Sequence, residues 1–456
     1  MIKPHFIQFI RIFYLVFRYN LDEFLLQAPY FRRLYFLRWC NPFYIFSNRF
    51  ISRGQRLTLA LQKAGPLFVK FGQILSTRQD IFPKDIVDQL VTLQDKVPPF
   101  SPNIARQLIH PLSHFSHVNY TPIASASIAQ VHAATLHDGT HVVIKILRPK
   151  IRALLARDIA FLRWGAKFIK LENSSAIQGM IDEIEMTLKQ ETNLVNEAAH
   201  AEQLKENAKI NHATSLFIPD IYWDLTTENR LVMERIYGLP IMNIAAIKDA
   251  GVNLHALAKK CVEIFFTQMF QDNYFHADLH PGNIFINVTK PECPIIELVD
   301  FGIVGSLPLK DRRYIAENMA ALIDKDYRKV AKLHRESGWI PAYVPEIAFA
   351  HAIQTVCAPI LNKSLKDISL AQLLLGLIQA AKNYEIQLQP QLLLLQKTLL
   401  NIESLCRHLD PDFNIWDVTQ PILKRWLKDQ IGPMAMINFL KNNLPVIIRN
   451  MILYRQ

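Results

Sequence analysis

Three polar side chains in the second half of the chain have the types and spacing of a phosphoryl-transfer site. The stretch HADLHPGN, residues 276–283, contains a carboxylate at Asp278 and an amide at Asn283. A second carboxylate follows at Asp300, within VDFG. In kinase-type chemistry, the first aspartate orients or deprotonates the acceptor, whereas the asparagine and the second aspartate bind Mg²⁺. We therefore predict that Asp278 is catalytic and that Asn283 and Asp300 are metal ligands.

The residues that such a site needs for its nucleotide come earlier in the chain, in the expected order. Lys145 lies in VVIK with apolar residues around it, as expected for a strand lysine that holds the α- and β-phosphates of ATP. A helix predicted over about 176–205 carries Glu191 and Glu197 as candidate partners. Glu234 ends a predicted buried strand before the hinge YGLPI, and we include it among the nucleotide-binding residues. A single V-x-I-K or D-x-x-x-x-N pattern is weak evidence, but the ordered set is specific.

Two histidines in HADLHPGN have the spacing of zinc ligands on a helix. His276 and His280 are four residues apart, but Pro281 and Gly282 favour a loop. We expect the imidazoles to brace this loop rather than to bind a metal. The five cysteines are scattered without C-x-x-C spacing, which is typical of structural thiols in a reducing compartment.

The hydrophobic periodicity predicts a mostly helical α+β protein. Helical patterns cover 55–110, β patterns begin near 117, and helices dominate again from 252 onward. Only IVGSLPL separates Gly302 from the helical pattern that begins near Lys310, which leaves scarcely any room for an activation loop. The predicted domains are 1–50 (basic amphipathic helices), 51–116 (helical extension), 117–236 (small lobe), 237–420 (large lobe) and 421–456 (basic apolar segment).

The positive charge is concentrated at the two ends of the chain. The net charge is +11, and residues 1–50 and 421–456 each carry a net +5. Neither end contains an apolar run of the length that spans a bilayer. Their amphipathic patterns are explained either by packing on the body or by a surface that lies on anionic lipid, and the sequence leaves both readings open. The basic residues stand among large aliphatics, which argues against nucleic acid as a partner.

Several motifs together resemble the ABC1/ADCK/UbiB family of atypical kinases, and in particular its bacterial members. They are KFGQ at 70–73, LQDKVPP at 93–99, ASASIAQVH at 124–132, VVIK, HADLHPGN, VDFGIVG and LLLLQKTLL at 392–400. The resemblance implies a bilobal protein-kinase-like fold with an N-terminal helical extension. It also implies that Lys70 and Gln73 of the K-x-G-Q motif act as a lid that projects over the active site.

The resemblance further implies an alanine-rich nucleotide loop in place of a glycine-rich one. The residues expected at the nucleotide in and beside this loop are Ala124, Ser125, Ala126, Ser127, Ile128, Ala129 and Val131. Each methyl group restricts the left-handed conformations that glycine allows and limits the approach of backbone N–H groups to phosphate. We expect an altered nucleotide preference.

The chain departs from the family pattern at one position. The family's E-x-D motif falls on Glu191 and Asn193, so that its second acid is an amide here. For the partner of Lys145 we prefer Glu197, and we assign Glu191 to Lys70. The sequence leaves this pairing open.

The family resemblance implies binding of ATP and Mg²⁺ and a supporting role in ubiquinone biosynthesis at the cytoplasmic face of the bacterial inner membrane. Family members continue into C-terminal transmembrane helices, whereas this sequence stops at Gln456 without them, so we expect peripheral attachment. The expected partners are membrane lipid, intermediates of the quinone pathway and the enzymes of that pathway; the oligomeric state is not indicated. Two alternatives stay open: a small-molecule kinase of the aminoglycoside or choline kinase type, and a nucleotide-gated scaffold without enzymatic turnover.

Overall fold

The computed structural model describes residues 4–21, 51–76, 84–90, 93, 98–166, 174–211, 215–337, 340, 343–361, 368–382 and 390–431. The chain divides into two compact units. The N-terminal unit comprises Met1–Glu202 and Pro219–Arg235, and the C-terminal unit comprises Gln203–Ile218 and Ile236–Gln456.

In the N-terminal unit, helices precede an antiparallel sheet and also lie in sequence between its last two strands. The helices are α1 (Pro4–Arg18), α2 (Arg53–Ala64), α3 (Pro66–Ser76), α4 (Lys84–Leu90), α5 (Pro102–Ile109), α6 (Ile151–Ala166), α7 (Ser174–Glu191) and α8 (Leu194–Asn211), the last of which continues into the C-terminal unit. The strands are β1 (Phe115–Val118), β2 (Ala124–Ser125), β3 (Ala129–Leu136), β4 (His141–Leu147) and β6 (Arg230–Glu234). The sheet order is β1-β3-β4-β6, with β2 paired to β3, and β4 is buried from its second residue onward. The predicted β region therefore forms one sheet with VVIK in a central strand.

Glu191 and Glu197 lie on two helices rather than on the single helix predicted over about 176–205. The break falls at Thr192 and Asn193, between α7 and α8. The Thr192 hydroxyl donates to a carbonyl oxygen in the last turn of α7 at 2.7 Å, and Asn193 Oδ1 accepts from a backbone amide in the first turn of α8 at 3.1 Å. The prediction of a continuous helix was wrong because such short polar side chains compete for the backbone groups that extend a helix.

Two small sheets and a series of helices form the C-terminal unit. The strands are β5 (Leu216–Phe217), β7 (Leu239–Pro240), β8 (Phe275–His276), β9 (Ile284–Asn287), β10 (Ile295–Leu298) and β11 (Val304–Gly305). They pair in the orders β5-β10-β9-β7 and β11-β8. The helices are α9 (Ile244–Asp249), α10 (Leu254–Thr267), α11 (Leu309–Ile323), α12 (Tyr327–Glu336), α13 (Glu346–Leu361), α14 (Leu370–Lys382), α15 (Pro390–Leu409) and α16 (Ile415–Ile431). A π-helical turn over Gln268–Asp272 and a 3₁₀ turn over Pro281–Asn283 flank the HADL segment, so the prediction of a loop there is confirmed.

The core of this unit consists of large apolar side chains from α10 and the strands around HADLHPGN. Phe265, Phe266 and Phe270 are fully buried, as is Phe275 of β8. The described cysteines are free thiols, and all except Cys293 are buried. In the parts of the chain that the structure describes, no helix combines the length and the apolar character needed to cross a bilayer.

Candidate active site

Lys145 and Glu197 form a buried ion pair in the N-terminal unit. Lys145 Nζ lies 2.6 Å from Glu197 Oε1, and the two side chains are only 11% and 5% exposed. Strand β4 places the lysine directly opposite Val131 of β3 and Leu231 of β6. The preferred pairing with Glu197 is therefore the one present. A cation held in this way on a rigid strand is suited to bind the phosphates of a nucleotide.

A second buried pair joins the K-x-G-Q helix to the end of α7. Lys70 Nζ lies 3.2 Å from Glu191 Oε1, with side chains 14% and 6% exposed, as we expected from the sequence. Gly72 brings α3 close to its neighbours, since a Cβ there would lie 2.3 Å from Cδ1 of Leu93. Gln73 belongs to α3, but its side chain lies outside what the structure describes. Glu197 lies six positions after Glu191, and the helix break lets each glutamate contact a different lysine.

An arginine that the sequence analysis missed holds the alanine-rich loop. Arg148 Nε and Nη2 both donate to the Ala126 carbonyl, at 3.0 and 2.9 Å, and Nη2 also donates to Ser125 Oγ at 3.0 Å. The Arg148 backbone amide donates to Ile128 O at 2.8 Å. The guanidinium group therefore fixes the shape of a loop that glycines would leave mobile. The sequence feature that could have identified this arginine is its position directly before Pro149, three residues after Lys145, at the end of the predicted strand.

The other predicted nucleotide-binding residues surround this loop. Ala124 and Ser125 form β2, which pairs with β3 at Val131 and Gln130. Ser127 is 1% exposed, and its hydroxyl has no hydrogen-bond partner among the described residues. A buried, unsatisfied hydroxyl in such a loop fits a site that receives a polar ligand.

Glu234 and the backbone around it sit at the far end of the same sheet. Glu234 closes β6 and pairs with Val142 of β4, and its Oε2 accepts a 3.4 Å hydrogen bond from the Asp220 amide. Its proposed place at the nucleotide stays a prediction.

A buried histidine shapes the HADLHPGN loop in the C-terminal unit. His276 has no exposed surface, its Nδ1 accepts from the Asp278 amide at 3.2 Å, and its Nε2 lies 3.2 Å from Val299 O. This network assigns the neutral tautomer with its proton on Nε2, which then donates to the carbonyl. Burial also lowers the pKa of His276 and so favours the neutral ring. The imidazole braces the loop, as we expected.

The same loop fixes the candidate metal ligand Asn283. Its Nδ2 donates to the Asp278 carbonyl at 3.1 Å, which directs its Oδ1 away from that contact. His280 makes a similar local contact, in which Nδ1 accepts from the Gly282 amide at 3.0 Å. Carbonyl and carboxylate oxygens are the ligands that Mg²⁺ prefers.

The residues on either side of Asp300 are joined to this loop. The Val299 amide donates to Asn283 O at 3.1 Å, and the Phe301 ring lies 5.8 Å from the His276 ring, between centroids. Asp300 itself is exposed and has φ +62°, in the left-handed region. Neighbours anchored on both sides can hold a carboxylate in this less favourable conformation, which is a common feature of functional sites.

The two candidate ligands fit Mg²⁺ better than a metal that needs an all-protein cage. Among the described residues, no three His, Cys, Asp or Glu side chains cluster in a way that could hold a metal ion. Mg²⁺ keeps several waters and is commonly held by one or two carboxylates together with substrate phosphates. Asn283 and Asp300 are the residues that would hold it here.

A lysine far away in the chain contacts Asp278. Lys397 Nζ, on α15, lies 2.8 Å from Asp278 Oδ1. The sequence analysis quoted LLLLQKTLL as a family motif but assigned no role to its lysine. The available signal was the single charged residue within the apolar stretch LLLLQKTLL.

The strand that leads to Asp300 is tied to the hinge by a buried carboxylate. Glu297 of β10 is 5% exposed and accepts from the Gly238 amide and from Asn287 Nδ2, both at 3.0 Å. A Cβ at Gly238 would lie 2.6 Å from Glu297 Oε2 and 3.0 Å from backbone atoms of Ile286. Position 238 in YGLPI therefore requires glycine, because Glu297 and the backbone of Ile286 lie too close for a side chain.

We expect Gly238→Ala to destabilise the protein by about 1–3 kcal/mol, because the added methyl group must displace a buried carboxylate or a strand. Urea unfolding of the purified chain measures this change. The matched control is Gly179→Ala in α7, where the new Cβ meets no described atom within 4 Å; there we expect about 0.5–1 kcal/mol of stabilisation. Equal effects of the two substitutions would contradict the packing argument.

Comparison with known proteins identifies two family domains. Residues 92–334 match the ABC1 atypical kinase-like domain, and residues 353–414 match the UbiB helical domain. The chain is 45% identical to "Probable protein kinase UbiB" of Marinobacter nauticus over 95% of its own length and 81% of that protein. It is equally similar, at 45% over 95% of this chain and 83% of the other, to the protein of the same name from Pseudomonas entomophila.

A solved structure with a similar fold comes from Mycobacterium tuberculosis. Rv3197 of Mycobacterium tuberculosis, solved in complex with erythromycin, superposes with a TM-score of 0.53 at 20% identity, over 77% of this chain and 90% of that one. At this identity the likeness concerns the fold alone. The predicted class, a mostly helical kinase-like α+β fold with an N-terminal helical extension, is confirmed. The chain belongs to the ABC1 atypical kinase-like family, in its UbiB group.

Proposed function

We propose that this protein is an atypical kinase or ATPase that binds Mg²⁺ and ATP and supports ubiquinone biosynthesis at the bacterial inner membrane. The observation that carries the proposal is that the kinase-type side chains are present in both units, each held by contacts within its own unit. Lys145 is paired to Glu197 at 2.6 Å. In the C-terminal unit, Asp278 and Asn283 share one loop that a buried neutral histidine braces.

Each of these side chains has one task in the proposed reaction. Lys145 binds the α- and β-phosphates, and Asn283 and Asp300 hold the metal. Bound Mg²⁺ neutralises charge on the phosphates. Asp278 accepts the proton of the attacking oxygen as that oxygen bonds to the γ-phosphorus, while the bond from the γ-phosphorus to the bridging oxygen breaks and ADP leaves with its electron pair.

The segment after VDFG argues against a protein as the acceptor. Helix α11 begins at Leu309, so that only residues 303–308 separate it from Gly302. Protein kinases dock peptides on a longer activation segment that is ordered by phosphorylation. We therefore propose water or a small hydroxyl compound of the quinone pathway as the acceptor, with lipid and pathway enzymes as partners.

Helix α1 supports attachment to the membrane surface. Ile10, Phe13 and Tyr14 are each more than half exposed, although the helix also packs on the body, where Arg11 Nη2 donates to Lys63 O at 2.8 Å. Large apolar side chains beside basic ones favour the interface of an anionic bilayer. One face of helix α1 thus supports packing on the body, and its exposed apolar face supports binding to anionic lipid.

The test is ATP turnover by the purified chain and by Asp278→Asn, with and without vesicles and a quinone-like phenol. We expect turnover to fall by about 100-fold or more in the variant, because the base is lost while the shape is kept. Anionic vesicles should stimulate the wild type more than neutral ones, and added salt should weaken this effect.

Three results would contradict parts of this proposal. Undiminished turnover in Asp278→Asn would refute the catalytic assignment, and nucleotide binding without turnover would favour the scaffold role. Fast stoichiometric phosphate transfer to a soluble alcohol, without any effect of vesicles, would favour a small-molecule kinase.

A further inference from the structure

Two consecutive residues of α15 bind two consecutive residues of the catalytic loop. Lys397 Nζ lies 2.8 Å from Asp278 Oδ1, and the Thr398 hydroxyl donates to Ala277 O at 2.8 Å. The partners are about 120 residues apart in sequence. A helix of the UbiB helical domain therefore reaches the loop of the kinase-like domain by two independent contacts.

The lysine is held in place by the packing of its own helix. Thr398 and Ile402 have no exposed surface, and Leu399 is 3% exposed. The Lys397 side chain is still 34% exposed, and that of Asp278 is 22% exposed. The helix that carries Lys397 is thus anchored by buried neighbours, while the Lys397 side chain stays partly exposed beside Asp278.

Phosphoryl transfer is accelerated by cations placed beside the transferred group. Negative charge is spread over the oxygens of the transferred group, and donors aimed at them lower the barrier. Between Asp278 and Asn283 the loop contains Leu279, His280, Pro281 and Gly282, and so it carries neither lysine nor arginine. An ammonium group has three donors, of which the carboxylate of Asp278 uses one.

We infer that Lys397 is a further catalytic residue, which the helical domain supplies to bind the γ-phosphoryl group during transfer. This inference rests on the proposed function. Lys397 keeps its proton throughout: it donates to the phosphoryl oxygens while Asp278 takes the proton of the attacking oxygen. The bond changes are those described above, from the bridging oxygen to the acceptor oxygen.

Two other roles of the contact are distinguishable from this one. Lys397 could serve only to stabilise the fold through its contact with Asp278, in which case its charge would have little effect on nucleotide affinity. It could also block Asp278 as an inhibitory gate, in which case its removal would raise turnover. A cation that binds the γ-phosphate must instead discriminate ATP from ADP.

The experiment compares Lys397→Met, Lys397→Arg and Thr398→Val with the wild type. The affinities for a non-hydrolysable Mg²⁺-ATP analogue and for Mg²⁺-ADP are measured by fluorescence, alongside kcat and the unfolding midpoint. In Lys397→Met we expect about tenfold weaker analogue binding with unchanged ADP binding, and a fall in kcat of about 100- to 1000-fold. Lys397→Arg should recover part of both losses.

The remaining variants separate this role from a structural one. Thr398→Val removes the neighbouring contact without changing charge, so the ratio of ATP-analogue to ADP affinity should stay at the wild-type value. Lys424→Met on α16, an exposed lysine of the same unit, should change neither affinity. Equal losses for both nucleotides in Lys397→Met, or no loss, would overturn the inference, as would a rise in turnover. If the wild type binds no nucleotide, the proposed function itself is wrong. This result concerns the wild type only, so it is distinguishable from a result that contradicts the role of Lys397.

Discussion

Asp300→Asn should abolish most of the Mg²⁺-dependent nucleotide binding while leaving the fold intact. We expect the affinity for Mg²⁺-ATP to fall by about 100-fold or more, since even partners in the outer shell of a metal are worth 10- to 100-fold. The substitution exchanges a carboxylate oxygen for a neutral amide at the position where the metal would bind. Titration of a fluorescent ATP analogue, with Mg²⁺ and with EDTA, measures the loss.

The backbone conformation makes this the appropriate substitution. Asp300 has φ +62°, and asparagine tolerates the left-handed region better than alanine does. Because the side chain is exposed, we expect the unfolding midpoint to change by less than about 2 °C. Glu292→Gln removes another exposed carboxylate from the same unit and should leave binding unchanged. Wild-type affinity in Asp300→Asn would refute the metal assignment, and a large drop in stability would make any binding loss uninformative about it.

Lys145→Met should both destabilise the N-terminal unit and abolish nucleotide binding. The ion pair with Glu197 is almost fully buried, so that removal of the lysine leaves the buried Glu197 carboxylate without the cation that it contacts at 2.6 Å. Loss of one partner in such a pair costs about 3–5 kcal/mol, which corresponds to a fall of roughly 10 °C in the unfolding midpoint. Calorimetry and nucleotide titration measure the two effects.

A double variant separates the stability effect from the functional one. In Lys145→Met combined with Glu197→Leu, both charges are replaced by apolar side chains of similar volume, and stability should return to within about 1 kcal/mol of the wild type. Nucleotide binding should remain lost, because no cation is left on β4 for the phosphates. Recovery of binding together with stability would mean that Lys145 serves the fold alone.

Much of the candidate site could be predicted because its residues are close in sequence. Asp278 and Asn283 share one loop, and Pro281 and Gly282 between them disfavour an α-helix. The expected β pattern around VVIK is present because alternating and β-branched residues report local backbone preference and burial. The roles of these residues in binding ATP and Mg²⁺ remain predictions.

The one wrong prediction, the continuous helix over about 176–205, fell where distant parts of the chain act together with local capping side chains. The break at Thr192 and Asn193 interrupts an apolar helical pattern that the sequence continues across it. It is held by contacts from elsewhere in the unit: Arg152 Nη2 donates to Thr192 O at 2.7 Å, and the Leu194 amide donates to Glu228 O at 3.0 Å. The hydrophobic periodicity of the helical segment gives no information about these distant partners.

The sequence by itself determined the kinase-like family of the chain, because the types, order and spacing of Lys145, HADLHPGN and VDFG are properties of the chain read in one direction. Only the tertiary structure decided which glutamate meets which lysine, because a break of two residues between α7 and α8 sets where each carboxylate lies. It alone also brought Lys397 to Asp278, across about 120 residues of chain. Such a contact arises from the packing of buried helices, and no local pattern of residues specifies it.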